Sequence, residues 1–312
     1  MKTLFLSPDY RCNERCIFCP CAENARQYHP LSLEEMRESL DMAMKNPCVE
    51  MVLLSGGEPT LRKETLSFIK YVRTKNIKWG ILSNSLKFAS KTFLNEFIDV
   101  TGTSFELTTA FHSYDPKQHN MITQVPDSFE KSLQGVMNLI EVGINVTIKY
   151  VINKMTFSEL PEYATWIYNT FSDNIPWVIC NIDVCGIALK NRNKTAIPFS
   201  ESKPFVEKAL DKVIEFSRQG RMRNVNIFNT PLCCIDPYYW PFLKKGEGGI
   251  ISALRLPYEK KEDNYLKVNL MGDGGAIFAS CSQCVLQGKC PGTWSNTGEL
   301  YENDLKPFKQ DE

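Results

Sequence analysis

The chain has 312 residues, 43% of them apolar, and its 36 lysines and arginines balance its 36 aspartates and glutamates for a formal net charge of zero. A neutral chain has no global field to attract nucleic acid or an anionic membrane, so any partner must be recognised locally. No run is long and apolar enough to span a membrane, and the short apolar stretch at Met1–Pro8 soon reaches Asp9 and Arg11, unlike a secretory signal. A cytoplasmic protein is therefore expected, in which twelve cysteines argue for metal ligation or redox chemistry rather than disulfides.

From Thr3 to about Gln219 short β-rich runs alternate with stretches of helical period, the pattern of parallel strands joined by crossover helices. Strands are predicted at Thr3–Ser7, Glu50–Leu54, Lys78–Ser83, Thr103–Ala110, Asn145–Ile152 and Trp177–Val184. Ser32 with Glu35 reads as a capping box opening a helix, and Thr60 as the cap of another that runs to about Lys75. Six such units with right-handed crossovers predict an α/β fold, a partial (β/α)6 TIM-like barrel open on one side. Beyond Gln219 the sequence turns to Pro, Gly, Tyr and Cys in short pieces, with Gly246, Gly248 and Gly249 together and Met271–Gly275 as a turn cluster. The expected division is residues 1–219 for the barrel and 220–312 for a small, metal-stapled module.

Directly after the first strand stands Cys12-Asn13-Glu14-Arg15-Cys16-Ile17-Phe18-Cys19. A four-iron cluster needs a ligand on each iron, so three cysteines leave one iron open to a substrate or cofactor. The bland alternative is a zinc knot closed by Cys21; otherwise Cys21 and Cys48 read as small core or loop residues. At the end of the second strand comes Gly56-Gly57-Glu58-Pro59-Thr60. Paired glycines let backbone approach a ligand closely, and a carboxylate there can hold an ammonium ion. Later strand ends carry Ser83-Asn84-Ser85, Phe111-His112-Ser113-Tyr114-Asp115, Val151-Ile152-Asn153 and Cys185-Gly186-Ile187-Ala188. In barrels of this kind the C-terminal strand ends gather the active site. For His112 a hydrogen-bonded loop histidine is the expectation, ahead of any proton-transfer role.

These fragments together resemble the radical S-adenosylmethionine (SAM) superfamily. The triplet is similar to its CxxxCxxC signature, with an aromatic, Phe18, before the last cysteine, and Gly56-Gly57-Glu58-Pro59 is similar to its GGEP motif. Ser83-Asn84-Ser85 stands where relatives often have Thr-Asn-Gly, a departure at Ser83 and Ser85. The resemblance implies that Cys12, Cys16 and Cys19 hold a [4Fe-4S] cluster whose open iron chelates S-adenosyl-L-methionine. It also implies that Gly56, Gly57, Glu58, Pro59, Ser83, Asn84, His112, Ser113, Asn153 and Ala188 line the SAM or substrate site.

Near the other end lies Cys281-Ser282-Gln283-Cys284, then Cys290-Pro291-Gly292, with Pro231-Leu232-Cys233-Cys234 upstream. Three clustered cysteines and one remote cysteine suit a complete second [4Fe-4S] cluster that staples a module too small to hold itself together. A zinc ribbon is the alternative. The set resembles the twitch or SPASM extensions of radical SAM peptide maturases, and the cysteine number favours the single-cluster, twitch-like form. Cys233 is the preferred fourth ligand and Cys234 the alternative. The spare thiol, or Cys185, is a candidate hydrogen-atom donor, as in the peptide epimerases this group resembles; burial as a small apolar residue is the ordinary fate. Tyr238, Tyr239, Trp240, Phe242 and Trp294 are expected to pack as core, with a peptide groove as the alternative.

The resemblance implies reductive cleavage of SAM to a 5′-deoxyadenosyl radical and hydrogen abstraction from a substrate. A ribosomally synthesised peptide, crosslinked or epimerised, leads the expectations, with a flavodoxin- or ferredoxin-like electron donor. The chain begins at the first barrel strand, without the small domain that often captures leader peptides, which would move recognition to another protein or to the C-terminal module. Two alternatives stay open: a small-molecule substrate such as a nucleotide or alcohol, and a non-enzymatic iron–sulfur or zinc scaffold that senses redox state.

Overall fold

The computed structural model of the chain describes residues 2–45, 49–244, 250–255, 266–271, 276 and 278–309. Cys48, the glycines at 246, 248 and 249, and residues 272–275 lie outside them. In chain order the elements are β1 (Thr3–Asp9), α1 (Asn24–Gln27), α2 (Leu33–Lys45), β2 (Met51–Gly56), α3 (Lys63–Thr74), β3 (Lys78–Leu82), α4 (Lys91–Thr101), β4 (Glu106–Ala110), α5 (Pro116–Thr123) and α6 (Ser128–Glu141). They continue with β5 (Asn145–Ile152), α7 (Leu160–Thr170), β6 (Trp177–Asn181), α8 (Gly186–Lys190), α9 (Arg192–Thr195), α10 (Phe199–Arg218), β7 (Val225–Phe228), β8 (Ile250–Arg255), β9 (Leu266–Met271) and α11 (Ser295–Leu300). Strands β1 to β7 are parallel and do not close, the α/β partial-barrel class. Two compact units divide the chain: residues 1–109, 123–147 and 247–273, and residues 110–122, 148–246 and 274–312.

In the first unit β1 pairs with β2, β2 with β3 and β3 with β4, all in parallel; the other edge of β1 takes β8, whose antiparallel partner is β9. The register sets Leu6 beside Leu54, Leu54 beside Ile81, and Ile81 beside Leu107, and all four are buried. The two-residue period of the strands thus lays an aliphatic row across four strands, while α2, α3 and α4 bury Met36, Leu40, Phe68, Ile69, Leu94 and Phe97. The capping box ahead of α2 forms as predicted: Glu35 N donates to Ser32 Oγ (3.1 Å) and Ser32 N to Glu35 Oε2 (2.6 Å). Thr60 caps no helix. A 3₁₀ turn at Pro59–Leu61 intervenes, its amide and hydroxyl donating to Glu58, and α3 starts only at Lys63.

In the second unit β5, β6 and β7 pair in parallel, with Ile148, Trp177 and Val225 in one row and Tyr150, Ile179 and Ile227 in the next. Helix α7 covers this face through Tyr163, whose ring meets Tyr150 at 4.5 Å and Trp177 at 5.6 Å. Buried Arg223 donates to the carbonyls of Ile167, Phe171 and Ile175, in the last turn of α7 and the loop that follows it. Strand β7 adds a seventh strand to the six predicted from the alternation; only four residues long and flanked by asparagines, it has little periodicity to read. Among the described residues no helix is long and apolar enough to cross a membrane.

Candidate active site

The cysteine triplet follows β1 on a loop that the Gly56-Gly57 turn holds from below. Gly57 N donates to Asp9 O and Glu58 N to Arg11 O, each at 2.9 Å. The approach is so close that a Cβ on Gly57 would lie 2.1 Å from Arg11 O, and one on Gly56 2.3 Å from Asp9 O. Gly56 also adopts a φ of 102°, which side chains rarely tolerate. The paired glycines therefore bring backbone against the cysteine loop itself.

Glu58 is buried beneath this turn, and four donors reach it. Oε1 accepts from Thr60 N (3.0 Å), Thr60 Oγ1 (2.6 Å) and Ser83 Oγ (3.0 Å), and Oε2 accepts from Asn84 N (2.8 Å). Burial pushes its carboxyl up, against the pull of these bonds. Glu58 thus ties the end of β2 to the end of β3. Asn84 carries the tie onward: Nδ2 donates to Asn13 Oδ1 (2.7 Å) and lies 3.8 Å from Cys12 Sγ, while its carbonyl accepts from Ser132 Oγ (2.8 Å) on α6. Ser85 sits at φ 64°, the left-handed conformation that the glycine of Thr-Asn-Gly would adopt freely. Gly135 of α6 packs so tightly there that a Cβ would stand 2.2 Å from Ser85 O.

Sequence reasoning missed Glu14, although a carboxylate inside the cysteine spacing was visible. Its Oε1 accepts from Ser128 Oγ (2.6 Å) at the start of α6, and Cys16 Sγ lies 3.6 Å from Oε2. Burial raises its carboxyl to about 7, against those hydrogen bonds. Cys16 and Cys19 are half-buried and Cys12 is exposed. Burial holds the Cys16 and Cys19 thiols above their ordinary values, so a metal must supply the charge that displaces their protons. Among the described residues no three His, Cys, Asp or Glu side chains converge on one ion position. A four-iron cube makes a different demand, one thiolate per iron corner, and three thiols on one pinned loop meet that demand.

The remaining expected residues lie in the second unit. His112 is buried and stacks on His119 at 5.6 Å; burial keeps its imidazole neutral, its pKa well below the ordinary value. Ser113 Oγ donates to Glu159 Oε2 (3.0 Å) and accepts from Asp115 N (2.9 Å). Asn153 spends its amide on its own turn, donating to Val151 O and Thr156 Oγ1 and accepting from Met155 N. Ala188 is buried in α8, and Cys185 stands half-buried at the head of that helix.

The C-terminal cysteines meet around one largely apolar pocket. Cys233, Cys281, Cys284 and Cys290 line it, with apolar walls from Leu232, Phe278, Leu286, Leu305 and Phe308. Cys234 turns away into a buried cluster with Phe199 and Leu305, its sulfur 4.0 Å from that of Cys233. A hydrogen bond from Cys234 lowers the Cys233 thiol and raises that of Cys234. Burial raises the Cys290 thiol, and two backbone amides that its Sγ accepts, Leu232 N at 3.3 Å and Gly292 N at 3.4 Å, pull it the other way. Four thiols in an apolar cavity, one already facing amide donors, are a donor set that fits an iron–sulfur cluster.

A probable GTP 3′,8-cyclase of Sulfurisphaera tokodaii is 24% identical over 246 residues, 75% of this chain and 72% of that protein. An Fe-coproporphyrin III synthase of Methanosarcina barkeri is 27% identical over 157 residues, 48% of this chain and 37% of that protein. Several further cyclases are matched over only about half their length. Among solved structures, Streptococcus suis SuiB bound to precursor peptide SuiA is similar with a TM-score of 0.61 at 15% identity, covering 81% of this chain and 57% of that one. The protein anSMEcpe with bound AdoMet and Kp18Cys peptide gives 0.58 at 15% identity, covering 72% and 63%. Both likenesses show the fold. The family model described as the radical SAM superfamily matches residues 6–167, just over half of the 312, and the chain belongs to that superfamily.

Proposed function

We propose that this radical SAM enzyme modifies a peptide, abstracting hydrogen from one of its carbons to install a crosslink or change a stereocentre. Membership in the superfamily implies a [4Fe-4S] cluster and SAM. In our reading Cys12, Cys16 and Cys19 hold that cluster. We assign SAM-binding roles to the Gly56–Pro59 turn, Ser83 and Asn84 in the first unit, and SAM- or substrate-binding roles to His112, Ser113, Asn153 and Ala188 in the second. When bound, these groups supply an electron and a 5′-deoxyadenosyl radical. The protein's own part is to hold the cysteine loop rigid through Glu58, Asn84 and Glu14, and to keep His112 neutral beside the strand ends.

Cys233, Cys281, Cys284 and Cys290 hold a second [4Fe-4S] cluster, and the cavity they line is the observation that carries the reading. Its support for a peptide substrate is the likeness to SuiB and anSMEcpe, both solved with peptides bound. Cys234 is shut in an apolar cluster, which leaves half-buried Cys185 as the better candidate for a hydrogen-atom donor. A flavodoxin- or ferredoxin-like protein supplies the electron. A second reading, a nucleotide substrate, is favoured by one observation: the Sulfurisphaera tokodaii relative is matched over 75% of this chain.

The test is anaerobic reconstitution followed by reduction with SAM in the presence of a peptide encoded beside the gene, or of GTP. Peptide-dependent release of 5′-deoxyadenosine is the expected result, and GTP-dependent release in its place establishes the nucleotide reading. No 5′-deoxyadenosine with either substrate, above a protein-free control, removes both.

A further inference from the structure

One buried asparagine outside every motif joins the two segments that carry Cys233 and Cys290. Asn229 directly follows β7, is 8% exposed and has a φ of 57°, a conformation asparagine adopts more readily than most residues. Its Oδ1 accepts from Thr293 Oγ1 (2.7 Å) and from Trp294 N (2.5 Å). Its Nδ2 donates to Asn181 O (3.2 Å) at the end of β6, and Asn181 Nδ2 returns bonds to Asn229 O (3.3 Å) and Thr230 Oγ1 (2.6 Å).

Two residues past Asn229 the chain reaches Pro231 and then Leu232 and Cys233, on the cavity wall; on the other side, Thr293 lies three residues beyond Cys290. Between the clamped residues and the sulfur stand the two amides, Leu232 N and Gly292 N, that converge on Cys290 Sγ. Releasing Thr293 and Trp294 would let both amides drift from the sulfur they face. The left-handed turn aims the carboxamide sideways at residues 293–294 while the backbone goes on to Cys233.

We propose that Asn229 is the positioning residue of the cysteine pocket, setting the Cys233 and Cys290 segments in register before any metal arrives. The inference rests on the reading that this pocket holds a second cluster, but the clamp itself is a property of the metal-free chain. Two variants separate its parts. Asn229→Asp keeps the left-handed tolerance and both accepted bonds but loses the bond donated to Asn181 O; Asn229→Gly keeps the backbone freedom and removes the clamp.

The experiment has two arms on the full chain. In metal-free protein, hydrogen exchange at the Trp294 amide is followed. Asn229→Gly is expected to quicken it about tenfold or more, the consequence of a buried donor losing its acceptor, and Asn229→Asp, which still accepts from that amide, to quicken it less. In a Cys12→Ala/Cys16→Ala/Cys19→Ala background, iron, sulfide and the electron paramagnetic resonance signal of the reduced protein report the second site alone. There Asn229→Gly should lower loading severalfold or shift the signal, and Asn229→Asp should depart less from the parent. Unchanged Trp294 exchange in Asn229→Gly, or a parent that binds the cluster and a glycine variant with identical loading and signal, overturns the proposal. A parent that binds no second cluster while Trp294 still responds overturns the cluster reading and leaves the clamp standing.

Discussion

Replacing Gly57 by alanine probes how the cysteine loop is held. The added Cβ would lie 2.1 Å from Arg11 O and 2.6 Å from the carbonyl carbons of Arg11 and Tyr10, all backbone atoms that cannot rotate aside. The loop must lift, and the bonds from Gly57 N to Asp9 O and from Glu58 N to Arg11 O stretch or break. Overpacking and an unpaired buried amide each cost about 1–3 kcal/mol, so the loss should be roughly 2–6 kcal/mol. In a chain of this size that lowers Tm by roughly 3–9 °C. Gly143→Ala is the control: φ there is 81° but no atom lies within 4 Å of the new Cβ, leaving only left-handed strain of about 1–2 kcal/mol. Both variants are made in a Cys281→Ala/Cys284→Ala background, and thermal denaturation is compared with iron and sulfide content after anaerobic reconstitution. Gly57→Ala should lose stability and iron together, Gly143→Ala stability alone. A Gly57→Ala protein that loads iron like its parent, with Tm within about 2 °C of it, would refute the reasoning.

Three further outcomes follow from the geometry. Cys233→Ser should lose the second site's iron while Cys234→Ser keeps it, read as iron per chain in the background lacking the first three cysteines; equal losses would return Cys234 to the ligand set. Ser85→Gly should raise stability by about 1 kcal/mol, because it relieves the φ of 64° and removes a buried hydroxyl that has no partner, set against the entropy glycine adds to the unfolded chain; a lower urea midpoint would contradict this. Glu159 is raised to about 7, first by burial and then by the Asp115 carboxylate, against the Ser113 hydrogen bond. Its protonated form is favoured in the fold, so its contribution is full below the unfolded value near 4.5 and is lost as pH rises through about 7. Stability should fall by on the order of 1–2 kcal/mol between about pH 5 and pH 8, and Glu159→Gln should flatten that profile; parallel wild-type and Glu159→Gln profiles would show the fall comes from elsewhere.

Much of the first unit's framework was legible because its signals are local. Burial alternates along β1, and Asn145–Ile152, where it also alternates, was predicted to the residue. The Ser32–Glu35 box closes within four residues, so its pattern is its structure. The second helix start was misplaced because a carboxylate one turn upstream, Glu58, captured the Thr60 amide and hydroxyl. That competition depends on Ser83 and Asn84 arriving from a strand some 25 residues away.

The sequence by itself determined the alternation of strands and helices, the early cysteine triplet and the glycine turn after the second strand, and the membership these motifs signalled, since each motif is written in a few consecutive residues. Tertiary structure alone decided the rest. It put Cys233 rather than Cys234 on the cavity wall, turned Glu58 into a four-bond hub, and drew Asn229, Asn181 and Trp294 together. Those choices hang on hydrogen bonds between residues 25 to 65 positions apart, and such pairings become visible only when packing brings the partners within reach and burial makes an unpaired polar group costly.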